Sequence, residues 1–117
     1  MKTFKQHIFE KLKISKTIRG LNQKDLEYIC SGIYDFIKQE ASWSYEDIES
    51  YFIEIEKLNS IFNFLVEAEY LDDVSYFIYN FDVHKENRFN FKREEDVDKF
   101  LKDYDIELTE YFLEIYA

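Results

Sequence analysis

The side chains able to do chemistry in this sequence are few and poorly spaced for it. Two histidines, His7 and His84, and one cysteine, Cys30, occur in 117 residues. A zinc centre needs three or four Cys, His or carboxylate ligands at short intervals, and neither histidine has such companions. Cys30 falls on an apolar helical stripe, which describes a packed thiol rather than an activated nucleophile. The run Glu94, Glu95, Asp96 and Asp98 supplies the hard oxygens that Ca²⁺ and Mg²⁺ prefer. It lacks the glycine turn and alternate spacing of a calcium loop, and it opens a helical pattern in which acids favour the helix dipole. Asp82 with Lys85 resembles the carboxylate and lysine pairs of two-metal nucleases, but a chain with 25 acids and 15 basic residues produces such pairs by composition alone. Two glycines and no proline exclude Gly-rich phosphate cradles. The chain is therefore expected to be non-enzymatic, with no metal and no cofactor.

What the sequence does offer is charge. The formal net charge is -10, but it is unevenly spread. Residues 1–24 hold seven basic residues against Glu10 alone, a net of +6, which leaves -16 for residues 25–117. Phosphate contacts need a basic footprint, so direct nucleic-acid binding through the body is excluded. Carboxylates on a folded surface can instead imitate the phosphates of a duplex and occupy a basic channel. The acids available for such a surface are Glu46, Asp47, Glu49, Glu54, Glu56, Glu67, Glu69, Asp72 and Asp73, followed by Glu94, Glu95, Asp96 and Asp98. Aromatic residues make up 20 % of the chain and could supply both core and interface anchors.

The basic segment has its own pattern. Phe4, Ile8 and Leu12 recur at helical spacing, with lysines around much of the circumference, so residues 1–20 are expected to form a basic amphipathic helix. Such a helix could meet its own acidic domain, a partner groove or an anionic surface. The stretch MKTFKQHIFE also resembles the leader that targets internal proteins of T-even bacteriophages into the head, through Met1, Lys2, Thr3, Phe4, Ile8 and Glu10. Ile8-Phe9-Glu10 is similar to the Ile/Leu-x-Glu tripeptide at which that family is cleaved. The resemblance covers ten residues and implies phage origin and packaging within a capsid.

The elements that must position these residues can be read in order. In LNQKDLEYICSGIYDFIKQEA, Leu26, Ile29, Cys30, Ile33 and Ile37 form a stripe behind Asn22 and Asp25 in capping positions. In the next segment Ser44 and Asp47 have capping-box spacing, and Ile48, Tyr51, Phe52, Ile55 and Phe62 share a helical face that Asn59-Ser60 could divide. DVSYFIYNFDV is dense in β-branched and aromatic residues; with HKEN as a loop and RFNFK, where Phe89 and Phe91 share a face, it is expected to form a β-hairpin. REEDVDKFLKDY spaces Val97, Phe100, Leu101 and Tyr104 as a helix. The tail fits both periods, with Leu108, Tyr111, Phe112 and Ile115 favouring a helix.

The expected fold is α+β, a small helix-rich single domain over residues 21–117 with a β-hairpin packed on helices. No 18-residue apolar run is present to span a membrane, and one cysteine permits no internal disulfide, which suits a protein of the bacterial cytoplasm or of the phage interior. The leading functional expectation is a phage or mobile-element protein whose acidic body blocks a basic partner, such as a host defence or DNA-handling enzyme. A virion internal or assembly protein addressed by its leader, and a toxin-immunity protein, are the alternatives.

Overall fold

Asn22 opens the first helix among the described residues, α1 (Gln23–Glu40). Its side chain accepts from the Asp25 N–H at 3.0 Å while the Asp25 carboxylate accepts from the Asn22 N–H at 3.1 Å, the reciprocal cap that the spacing predicts. The stripe behind it, Leu26, Ile29, Cys30, Ile33 and Ile37, is wholly buried. The computed structural model describes residues 21–41 and 45–117. The expected amphipathic helix of residues 1–20, with Phe4, Ile8, Glu10 and Leu12, and the Ser44 cap lie outside the described residues.

Five further α-helices follow: α2 (Tyr45–Leu58), α3 (Ile61–Glu67), α4 (Leu71–Phe81), α5 (Glu94–Asp103) and α6 (Asp105–Tyr116), with a π-helical turn (Asp82–Glu86) extending α4. The α2 and α3 segments are one apolar pattern cut at Asn59, whose backbone is left-handed at φ 53°. Ser60 then restarts the helix as an N-cap. In a chain with two glycines the left-handed positions fall to Asn59, Asn87, Asn90 and Glu69; asparagine is the usual second choice there.

Packing is centred on α1, which touches α2, α4 and α6, while α4 pairs with α5 and α2 with α3. Gly32 permits the close approach of α4, since a Cβ there would stand 3.3 Å from Ile78 Cγ1. The core joins Ile29, Ile33 and Ile37 to Ile55, Ile61, Leu65, Val74, Ile78, Val97, Leu101, Leu108 and Phe112.

The expected α+β fold is overturned: the described residues contain no β-strand, and the domain is a helical bundle. The supposed first strand is α4, which buries Val74 and Ile78 four residues apart. β-propensity records fit to a half-buried surface rather than a fixed backbone preference, and here the helical stripe buries more. The supposed second strand is a loop. Its Phe89 and Phe91 N–H groups, which a ladder would have paired, donate to the carboxylate of Asp82 at 2.9 and 3.2 Å. The two rings do share a face, stacked with centroids 5.3 Å apart. The tail is helical, but Ile115 is 48 % exposed and Glu114 is buried in its stead.

Candidate functional site

The carboxylates divide into those consumed by the fold and those left on its surface. Asp82 is fully buried and accepts from the Tyr28 hydroxyl at 3.0 Å as well as from the two loop amides. Burial and that hydrogen bond push the Tyr28 hydroxyl well above the usual tyrosine range. Asp105 accepts from the Ser60 hydroxyl at 2.5 Å, the Phe62 N–H at 2.9 Å and the Thr109 hydroxyl at 3.0 Å. Thr109 Oγ1 in turn accepts from the Ile61 N–H at 2.8 Å, and Ser60 Oγ from the Asn63 N–H at 3.0 Å. The first three free N–H groups of α3 are thereby satisfied, two of them by side chains of α6.

Two of the acids expected on a binding surface belong to this structural set. Asp96 reaches back to the Lys92 and Arg93 N–H groups, each at 3.1 Å, and so caps α5. Asp98 accepts from the buried Ser75 hydroxyl and ties α5 to α4. Glu94 and Glu95 sit beside them in the first turn of α5. Among the described residues no three His, Cys, Asp or Glu side chains converge where a metal ion could be held.

The remaining expected acids fall in separate places. Glu67 ends α3, Glu69 occupies the left-handed corner that follows, and Asp72 and Asp73 lie in the first turn of α4. Glu69 and Asp72 line a shallow depression with Val66 and Leu71. Asp73 lies with Glu40, Tyr76, Phe81, His84 and Lys85 in an open cleft between α1 and α4. Asp47 is in the first turn of α2, and Glu54 is exposed farther along that helix.

The third place combines charge with an apolar floor. Ile48, Phe52, Ile53 and Tyr116 line an open groove of about 370 Å³ between α2 and the end of α6, and Glu49 and Glu56 form its rim. Helical spacing sets Glu46, Glu49, Ile53 and Glu56 on one face of α2. Ile53 is 61 % exposed, an aliphatic side chain held in water between carboxylates. At the floor, Tyr116 stacks on Tyr34 at 4.3 Å and packs on Phe112 at 5.1 Å. Burial pushes the Tyr116 hydroxyl up to about 12, so it stays a neutral donor at physiological pH. Behind α2, Tyr51 meets the Tyr70 hydroxyl at 3.3 Å, and that bond, with burial second, pushes Tyr51 up to about 12.

Ile53 escaped the sequence reading, though its signal was present: it is the aliphatic residue of α2 that falls off the Ile48, Tyr51, Phe52 and Ile55 stripe. Cys30 is buried and donates to the Leu108 carbonyl at 3.4 Å; burial raises its thiol far above the reactive range. No helix among the described residues is long and apolar enough to cross a membrane.

No protein-family model, curated protein or solved structure matches this chain.

Proposed function

We propose that this chain is a small non-enzymatic interaction protein that binds a basic protein partner through the outer face of α2. The observation that carries the reading is Ile53, 61 % exposed at the lip of a groove rimmed by Glu49 and Glu56. An exposed aliphatic residue beside an apolar floor supplies the desolvated anchor from which interfaces draw most of their energy. The surrounding carboxylates steer and orient a basic surface while contributing less to affinity. The partner class that suits this chemistry is an enzyme with a basic nucleic-acid channel, such as a host defence or DNA-handling protein. The likeness of MKTFKQHIFE to a phage leader supports a phage-encoded blocker.

The test is capture of partners by the full chain at low and high salt, followed by affinity measurement on the purified partner. Ile53→Ser should weaken binding by at least about tenfold, the loss expected for a modest hot spot. A Glu49→Lys/Glu56→Lys variant should slow association and flatten its salt dependence. The same charge reversal at Glu67 and Glu69 should leave affinity nearly unchanged. Loss at Glu67 and Glu69 with no effect on α2, or capture of capsid and scaffold proteins by every variant alike, would overturn the assignment.

A further inference from the structure

The outer stripe of α4 is aromatic in the middle and oppositely charged at its two ends. Asp73, Tyr76, Phe77, Phe81 and Lys85 follow one another at helical spacing, and together with the end of α1 they line one open cleft of about 830 Å³. Tyr76 is 58 % exposed and Phe81 38 %, and Lys85 Nζ stands 5.7 Å over the Phe81 ring. Glu40 adds a second carboxylate at the Asp73 end, because the close of α1 meets the start of α4, where Phe36 packs on Tyr70 at 5.6 Å and on Phe77 at 6.4 Å. His84 joins Lys85 at the other end. From Asp73 to Lys85 the stripe runs about 18 Å at 1.5 Å per residue. Acids at the head of a helix and bases at its foot follow from the helix dipole. The two exposed rings between them do not, and aromatic anchors inside a charged rim are the anatomy of an interface.

We infer that this cleft takes a second copy of the chain, with the two α4 helices antiparallel about a two-fold axis near Asn80. Such an axis requires a surface complementary to itself, and the charge order of this stripe meets that requirement. Reversal sets Asp73 and Glu40 of each copy against Lys85 and His84 of the other, and Phe77 against Phe81 close to the axis. The two helix dipoles then oppose each other, which is the favourable sense. A parallel arrangement would instead set acid on acid and base on base. The net charge of -10 on each copy works against association. The dimer is therefore a weak one, with a Kd on the order of 10–100 μM at about 0.15 M salt, where repulsion is screened beyond about 8 Å. No residue of the α2 groove lines this cleft, so the dimer carries two free α2 faces and the inference stands apart from the proposed function.

Sedimentation velocity of the full chain from about 5 to 500 μM, a range that brackets this Kd, should show a concentration-dependent passage from monomer to dimer. Tyr76→Ser, at an exposed position outside the core, should weaken the dimer by at least about tenfold. Asp73→Lys and Lys85→Asp should each be monomeric alone, because each sets like charges across the axis twice. Mixed in equal amounts the two should form a heterodimer, because every facing pair then has opposite sign. The double variant D73K/K85D should regain the homodimer. The Glu49→Lys/Glu56→Lys variant should dimerise as the parent does; loss there would place the interface on α2 and overturn the inference. A full chain that stays monomeric at the highest concentration, as it would if another protein filled the cleft, would overturn it as well. So would a dimer that survives Tyr76→Ser and both charge reversals, or a mixture that yields no heterodimer while each variant keeps the parent circular dichroism spectrum.

Discussion

At Asp105 one carboxylate closes three gaps: a free N–H at the head of α3, the Ser60 hydroxyl and the Thr109 hydroxyl. Removing it leaves partly buried donors without an acceptor, which costs more than the bonds themselves contribute in water. Asp105→Ala should therefore destabilise the domain by about 2–4 kcal/mol, read as a fall in the urea midpoint, and Asp105→Asn, which retains one acceptor, by less. Tyr51 and Tyr116 make a second residue-scale prediction. Both titrate near 12 in the folded chain against about 10 when unfolded. A raised pKa contributes stability that is complete below the unfolded value and is lost as pH rises through the folded one. The buried Cys30 thiol, raised from about 9, adds a loss that begins near pH 9, so the urea midpoint should start to fall there and fall more steeply between pH 10 and 12, with tyrosinate absorbance appearing in that second interval. Tyr51→Phe should shrink that fall; a midpoint indifferent to pH across the interval would contradict the Tyr51 to Tyr70 hydrogen bond and the burial of the Tyr116 hydroxyl.

At the scale of elements, the segment from α4 to α5 depends on Asp82. Its carboxylate holds Tyr28 of α1 and the Phe89 and Phe91 amides together. Asp82→Ala should release the loop before it unfolds the domain, and hydrogen exchange at the Phe89 and Phe91 amides should speed by about ten- to a hundredfold. Protection equal to that of the parent would show that the rings, not the carboxylate, hold the loop. Local signals made the other elements legible. Asn22 and Asp25 announced α1, its apolar stripe located the centre of the core, and Val97 and Leu101 located the inner face of α5. The hairpin expectation failed because the aromatic content of DVSYFIYNF speaks for burial and not for a backbone shape. The acids of the candidate site were legible only as a composition. Asp96 caps α5 through neighbours three and four residues away, but nothing local distinguishes Asp98, spent on Ser75, from Glu49 and Glu56, left at the rim of a groove, because the partner of Asp98 comes from tertiary packing.

For the whole molecule, a body carrying -16 repels itself, and ion pairs such as that of Asp25 with Arg88, 63 residues apart, offset this only at single points. Asp25 meets Arg88 at 2.7 Å, and the exposed Arg93 to Asp96 pair at 3.9 Å contributes little. Screening of that repulsion should raise Tm by a few degrees as salt goes from about 0.01 to 0.15 M, observable by thermal circular dichroism. A fall in Tm would mean that attraction between the basic segment and the body outweighs the repulsion. The head of α3 bears on how long the folded state lasts. Ser60 and Asp105 are 45 residues apart, while α2 with α3 and α4 with α5 pair as sequence neighbours that can meet early. We expect the α3 cap to close after the rate-limiting step, so that Asp105→Ala speeds unfolding and leaves the folding rate nearly unchanged. Contacts formed that late set the escape rate rather than the search time, so the durability of this domain is written in its last dozen residues.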